Sequence, residues 1–450
     1  MVIELDRLTV RHRGQDAPAV QDLSLVVRPG ELVLLAGPTG CGKSTALMAV
    51  SGVIPHVLGA EVQGRVTVAG AAPGSRPLAA SARDVAHLFQ NVETQLFTDR
   101  VRDEILLPLE LGGQVPDLQV DYAASAHAAL ALFGMEDMAE RRVSRLSSGY
   151  KQRLALASMH LASKRALLLD EPFAFLDPGA TRGLQDLLRR LKAAGIGILV
   201  AEHREELVAP LADHVVRMGC ATPEPEPRSR PVANTGRESL AAHAVTFSHA
   251  HRPVLRGVDL TVRTGEAVLL VGPNGCGKTT LCLVLAGLLR PASGEVRLAD
   301  GPVARLSASA RAKRVALVIQ NPDRQLFAST VAQELPGEAG AIWLRRFGLA
   351  HLHDRHPRSL SYGQKRRLAL ARMLSKEPEV LIVDEPSVGQ DVGHLVSLFA
   401  ELHTFLDRGG ALIVTSHDPR VARWFPGAIM RMEDGRLRPG TTRALETLAT

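Results

Sequence analysis

The strongest constraint on this chain is that it repeats itself. Residues 20–45, VQDLSLVVRPGELVLLAGPTGCGKST, return as residues 254–280, VLRGVDLTVRTGEAVLLVGPNGCGKTT. Later landmarks recur in the same order: LFQNVETQLF against VIQNPDRQLF, LSSGYKQRLALA against LSYGQKRRLALA, and LLLDEP against LIVDEP. A repeat on this scale is a whole domain rather than a solenoid module. At 450 residues, each copy has enough chain to bury its own core. The expected division is residues 1–220, a linker at 221–239, and residues 240–450. The linker, ATPEPEPRSRPVANTGRES, alternates Pro with charge, which cannot build a core and favours an extended spacer. The second copy is shorter between its Gln and its LSxGx motif, where PGEAGAIWLRRFG replaces a longer segment. The halves are therefore similar but not equivalent.

Each copy carries G-x-x-x-x-G-K-[ST], Gly37 to Ser44 and Gly272 to Thr279. In both, a strand-like apolar run precedes the motif and a helix-like run follows it, the context the motif requires. The glycines let backbone N–H groups turn inward around phosphates, and the helix start adds its positive dipole end. Candidate phosphate contacts in the first copy are Gly37, Pro38, Gly40, Cys41, Gly42, Lys43, Ser44 and Thr45. In the second they are Gly272, Asn274, Gly275, Cys276, Gly277, Lys278, Thr279 and Thr280. Lys43 and Lys278 would reach the β- and γ-phosphates of ATP, and the hydroxyls of Ser44 and Thr279 would ligate Mg²⁺.

LLLDE and LIVDE read as buried parallel strands whose C-terminal ends meet the ligand. Asp170 and Asp384 would hold the metal, while Glu171 and Glu385 are placed to polarise an attacking water. A lone Asp-Glu pair is usually solvated, but the flanking aliphatics argue against exposure here. His203 and His417 each end an aliphatic run, GILVAEH and ALIVTSH. A core histidine could sit there, yet its matched position favours contact with the γ-phosphate or the water. Gln90 and Gln320 follow strand-like runs and can orient metal, water or both.

At LSSGY and LSYGQ the chain resembles the ATP-binding-cassette superfamily, because both copies place an LSGGQ-like signature between the Gln and the carboxylate pair. The resemblance implies an α/β fold with two P-loop domains. Each would have a mostly parallel sheet, an antiparallel β-subdomain and a helical subdomain carrying the signature. It also implies head-to-tail pairing of the two domains within one chain. Ser361 and Gly363 would close over the ATP of the first copy, and Ser147 and Gly149 over that of the second. The signatures depart from the family at Ser148, Tyr150 and Tyr362, and a bulky Tyr362 could crowd the phosphate unless its ring points away. D-loops end at Asp177 and Asp391. The family's adenine-stacking aromatic aligns with His12 and His249, where a stacking ring and an exposed hairpin histidine fit equally.

The segment after each Gln narrows the choice. QNPDRQLF and the looser QNVETQLF resemble the ATPases of energy-coupling factor importers, which supply vitamins or transition-metal ions. That likeness implies a separate transmembrane coupling subunit and a small membrane substrate-capture subunit as partners. Glu104 and Glu334 would then line a groove for a partner's helix, although the Leu-Phe pair could simply be core. Alternatives are the fused ATPase of a monosaccharide importer or a cassette protein acting on ribosomes or DNA. The ribosomal type would carry a long charged insertion and the repair type zinc modules. The four cysteines, Cys41, Cys220, Cys276 and Cys282, have no zinc spacing.

Composition fits this frame. Hydrophobic residues are 46% and charged residues 22%, and no run approaches the ~20 apolar residues of a spanning helix. The start, MVIELDRLTV, has no secretory pattern. The expected location is the cytoplasmic face of a membrane, reached through partners. A net charge of +6 is dispersed, so no nucleic-acid partner is expected.

Overall fold

The computed structural model describes residues 1–15, 17–111, 122–146, 148–161, 165–174, 176, 178–219, 236–250 and 252–440. The chain divides into two units, Met1–Thr222 and Pro223–Thr450, each with its own sheets and cores.

In the first unit a five-stranded parallel sheet runs in the order Val85–Leu88, Ala166–Asp170, Gly197–Glu202, Leu32–Ala36 and His214–Arg217. The first four are mainly apolar and buried along their whole length, His87, Asp170 and Glu202 included, because helices or a second sheet cover both faces. One hydrophobic cluster, with Leu34, Leu169, Val200 and Leu188, fills one side of this sheet. Another, with Leu35, Leu168, Leu199 and Ile3, joins it to an antiparallel sheet of Val20–Val27, Ile3–His12 and Ala60–Val68.

The second unit repeats this plan. Its sheet runs Val315–Val318, Val380–Asp384, Ala411–Thr415, Ala267–Val271 and Ala428–Glu433 in parallel, with Arg436–Pro439 added antiparallel at the edge. The antiparallel layer is led by Glu238–His249 and Arg252–Arg263. Its first strand begins at Glu238, two residues inside the segment expected as linker. The rest of that linker, like Cys220, lies outside the described residues, apart from Gly236 and Arg237.

Helices on the far side carry the signature motifs. In the first unit they are Val101–Leu111, Tyr122–Leu132 and Ser148–Leu161. In the second, the shortened PGEAGAIWLRRFG forms the helix Gly337–Arg346, packed beside Tyr362–Leu374. Gly340 is what permits the short connection, since a Cβ there would stand 1.8 Å from the Leu335 carbonyl. No helix among the described residues is long and apolar enough to cross a membrane.

The strand order has a direct consequence. In each unit the strands leading to the Gln, the carboxylate pair, the His and the Gly-rich loop lie side by side. Motifs scattered over much of a domain are thereby gathered at the C-terminal ends of four neighbouring parallel strands, where such sheets bind ligands.

Candidate active site

The two Gly-rich loops fold alike. Gly42 and Gly277 precede the helices Lys43–Ser51 and Lys278–Leu285 at φ 98° and 108°, in the left-handed region open to glycine. A Cβ on Gly42 would fall 1.9 Å from the Ala19 carbonyl, and one on Gly37 would fall 2.3 Å from the Met218 carbonyl. The loop is thus pressed against its surroundings with its open face turned outward. Gly40 and Gly275, at the tips, would meet nothing.

Lys43 curls back over this loop, its Nζ donating to the carbonyls of Gly37 at 2.7 Å and Pro38 at 2.8 Å. Lys278 makes the matching bonds to Gly272 at 2.7 Å and Pro273 at 3.1 Å. Both ammonium groups are buried and lie in the neighbourhood of carboxylates. Cys41 Sγ sits 3.9 Å from Lys43 Nζ, while Cys276 and Asn274 occupy the corresponding loop in the second unit. Ser44 and Thr279 are exposed at the helix starts, followed by buried Thr45 and half-buried Thr280.

Behind each loop stands the carboxylate pair. Thr279 Oγ1 donates to Asp384 Oδ2 at 2.8 Å, and Thr415 Oγ1 donates to Asp384 Oδ1. In the first unit Ser44 bonds Asp170, but alanine stands where Thr415 is, and Asp170 Oδ1 is buried without a partner. Burial pushes the Asp170 carboxyl up to about 7, and the charge of Glu171 adds to the effect. Asp384 is likewise raised by burial. An orphaned oxygen on a buried carboxylate beside a hydroxyl suits a divalent cation, which supplies the missing partner.

Glu171 and Glu385 move the other way. Burial alone would raise them. His203, Lys43 and the Gln90 bond outweigh burial at Glu171, and His417 and Lys278 do so at Glu385, holding both below the ordinary range. The paired carboxyls in each unit are therefore pushed apart, the pattern that separates a proton acceptor from its neighbour. Both glutamates have left-handed backbone, φ 47° and 57°, which is uncommon outside glycine. Main-chain bonds brace that conformation: Glu171 N to Ala201 O at 2.8 Å, and Glu385 N to Thr415 O at 3.1 Å. Such strain in both copies marks a position held for its side chain.

Gln90 Nε2 donates to Glu171 Oε2 at 2.6 Å. His203 Nδ1 lies 3.4 Å from Glu171 Oε1, and His417 Nδ1 lies 2.9 Å from Glu385 Oε1. These are close polar contacts rather than aligned hydrogen bonds. Lysine, carboxylate pair and histidine therefore lie near one another in each unit.

Tyr362 does not crowd the front of the signature. Its ring packs inward within its own unit, and its hydroxyl donates to the Gln320 carbonyl, which also accepts Arg366 Nη1 at 2.6 Å. Burial pushes the Tyr362 phenol up to about 12, so it stays a donor. Ser361 is left exposed at the helix tip, where it completes a capping box with Gln364. Gly363 is buried, since a Cβ would stand 2.3 Å from the Gly389 carbonyl, and its own carbonyl accepts Gln390 Nε2 at 2.9 Å. Ser147 and Asp177 lie outside the described residues, as does the side chain of Ser148. Gly149 follows Ser148 in the helix, and Tyr150 beside it is half-buried with Arg153 over its ring. Asp391 caps the helix Val392–Asp407 through the His394 N–H at 2.8 Å. His12 Nε2 lies 3.2 Å from Thr45 Oγ1, whereas His249 is exposed against the edge of Phe247.

Glu104 and Glu334 require a correction. Both side chains are buried and bonded from within rather than open to a partner. Glu104 Oε2 accepts the N–H groups of Phe97 at 2.9 Å and Thr98 at 2.7 Å, and Glu334 Oε1 accepts those of Phe327 and Ala328. They pin the turn from beneath. The second glutamine of each QNxxxQ clamps the same turn to its strand: Gln95 through Phe89 N and His87 O, Gln325 through Ile319 N and Leu317 O. Lys151–Glu93 at 2.6 Å and Lys365–Asp323 at 2.7 Å tie the turn to the signature helix. The repeat itself is the available signal for these braces. The result is that Leu326 is buried and Leu96 half-buried, while Phe97 and Phe327 are thrown outward.

The sequence profile of the ABC transporter family matches residues 20–174 and 255–388. The chain is 30% identical, over 97% of its length, to a provisionally named ABC transporter ATP-binding protein of Treponema denticola, covering 96% of it. It is 28% identical to a provisionally named HMP/thiamine import ATP-binding protein of Bacillus subtilis, YkoD, with 96% and 90% of the two chains covered. Among solved structures, ABCE1 in a model of ribosome-bound archaeal Pelota and ABCE1 superposes with a TM-score of 0.70 at 21% identity, over 98% of this chain and 80% of that one. RNase-L inhibitor superposes at 0.60 and 22%, over 98% and 92%. At such identities the structural likeness speaks for the fold alone. The profile falls on both halves and takes in both Gly-rich loops and both carboxylate pairs, so this chain belongs to the ABC transporter family and is an ATPase of two fused domains.

Proposed function

We propose that this chain is the energy-coupling subunit of a membrane importer of the energy-coupling factor type. It would work at the cytoplasmic membrane face with a separate transmembrane coupling subunit and a small membrane substrate-capture subunit. One observation carries the reading: Phe97 and Phe327 are 76% and 77% exposed at matched positions, each on a turn pinned by a buried glutamate. Leaving a phenylalanine in water forgoes about 2 kcal/mol of burial. A rigid turn that does so twice, next to the Gln of the catalytic cluster, is suited to receive a partner's helix and to sense the site's state. The name of the Bacillus subtilis relative, which speaks of HMP/thiamine import, supports the same direction.

In the reaction, each ATP would be held by one half and closed upon by the other half's signature. The first site would comprise Lys43, Ser44, Gln90, Asp170, Glu171 and His203, closed by Ser361 and Gly363. The second would comprise Lys278, Thr279, Gln320, Asp384, Glu385 and His417, closed by Ser147 and Gly149. Asp170 with Ser44, and Asp384 with Thr279, would hold Mg²⁺, which when bound neutralises charge on the transferring phosphoryl group. Lys43 would leave the Gly37 and Pro38 carbonyls for the phosphate oxygens. Glu171, kept ionised and aimed by Gln90, would take the proton of the attacking water. Loss of the γ-phosphate would reopen the pair and move the partner's helices. Fusion keeps each half at high effective concentration for the other.

Affinity purification from detergent-solubilised membranes tests this. Multi-span membrane proteins should be recovered with the chain. Phe97→Ala with Phe327→Ala should lower that recovery about tenfold or more, with unfolding free energy changed by no more than about 0.5 kcal/mol. Recovery of ribosomes alone would contradict the importer reading.

A further inference from the structure

The two halves act as internal controls for one another, and they differ at the end of the histidine strand. The second half reads Thr415, Ser416, His417 where the first reads Ala201, Glu202, His203. Ser416 is a small turn-capping residue whose Oγ accepts the Asp418 N–H at 3.0 Å. Glu202 performs that task too, its Oε1 accepting His203 N at 2.9 Å and Arg204 N at 3.1 Å. It also brings a wholly buried carboxylate to the catalytic histidine. Its Oε1 lies 3.1 Å from His203 Nδ1, nearer than Glu171 at 3.4 Å; like that one it is a close polar contact rather than an aligned hydrogen bond, and its Oε2 has no hydrogen-bond partner.

The neighbours differ accordingly. In the second half His417 lies 2.9 Å from Glu385, and the Thr415 hydroxyl accepts the Glu385 N–H. The first half has no such hydroxyl, and Glu171 takes its short bond from Gln90 instead. A wholly buried carboxylate with one oxygen lacking a hydrogen-bond partner, placed against an imidazole, is a costly feature that a serine would avoid.

We infer that Glu202 is a positioning residue of the first ATP site: it holds the Nδ1 edge of His203, leaving Glu171 to Gln90 and the attacking water. The second site does without it because Thr415 and Glu385 hold that arrangement together. The two sites thus reach catalysis by different supports, and only the first depends on a third buried carboxylate. The inference rests on the proposed assignment of Glu171 and Glu385 as the groups that activate water.

The test uses the full chain with one site silenced. With Glu385→Gln, only the first site turns over, and adding Glu202→Gln should lower kcat about tenfold with KM for ATP within about twofold. Glutamine retains the acceptor for the two backbone N–H groups and removes the charge. Glu202→Ser, the second half's own choice, should act in the same direction. With Glu171→Gln, where only the second site works, Glu202→Gln should leave kcat unchanged. In a His203→Ala background it should have no further effect, since it acts through that ring. An unchanged kcat in the first arm, an equal loss in both arms, or an additive loss on His203→Ala would overturn the inference. If Glu171→Gln and Glu385→Gln themselves fail to lower turnover, the site assignment falls, and the role of Glu202 with it.

Discussion

Replacing both Glu171 and Glu385 with glutamine is expected to slow ATP turnover about a thousandfold while leaving nucleotide binding intact. Both carboxylates sit on left-handed backbone at the end of a buried strand, and both are held below the ordinary carboxylate range. Glutamine has the same shape and can still bond Gln90 or approach His417, but it cannot accept the water's proton. The loss should therefore fall on kcat. Each single variant should retain the turnover of the other site. The check is steady-state ATPase assay beside equilibrium ATP binding. Full turnover in the double variant would show that these carboxylates do not activate water.

The second large effect concerns affinity. Lys43→Ala together with Lys278→Ala should weaken ATP binding about a hundredfold or more, since each lysine supplies charge-assisted bonds worth about 1.5–3 kcal/mol apiece. Each ammonium is buried against two loop carbonyls, so the cation waits where the phosphates would arrive. Alanine removes the cation and takes from the Gly37 and Gly272 carbonyls the donor that Lys43 and Lys278 supply, which should also lower the unfolding midpoint. Titration with a fluorescent ATP analogue measures the first effect and thermal denaturation the second. Unchanged affinity would refute the placement of the phosphates in these loops.

The parts of the site that are legible in the sequence are those written contiguously. G-x-x-x-x-G-K-[ST], the aliphatic run ending in Asp-Glu, and the strand ending in His each specify a strand together with the loop or turn at its C-terminal end. The repeat then supplies an independent second instance. The parts that are not legible depend on side chains meeting across the fold. Glu104 and Glu334 read as acids lining a partner's groove, yet they are buried beneath the turns of Phe97 and Phe327. The Leu-Phe pair is ambiguous in sequence because burial splits it: Leu326 goes in and Phe327 goes out. Tyr362 could have blocked the signature, but its ring is buried and its hydroxyl reaches the Gln320 carbonyl, 42 residues away. Glu202 escapes a sequence reading because a residue beside a motif histidine carries no spacing signal of its own. Its meaning comes from the distance to His203 and from the contrast with Ser416.

In the function proposed above, each nucleotide would be completed by the opposite half of the chain. Ser361→Arg tests it most directly, because Ser361 is exposed at its helix tip and the substitution costs little beyond one cap, about 1 kcal/mol. In the Glu385→Gln background, where only the Lys43 site works, Ser361→Arg should abolish most turnover. In the Glu171→Gln background, where only the Lys278 site works, it should leave turnover nearly untouched. The reverse pattern, with loss confined to the Lys278 site, would mean that the signature serves its own half.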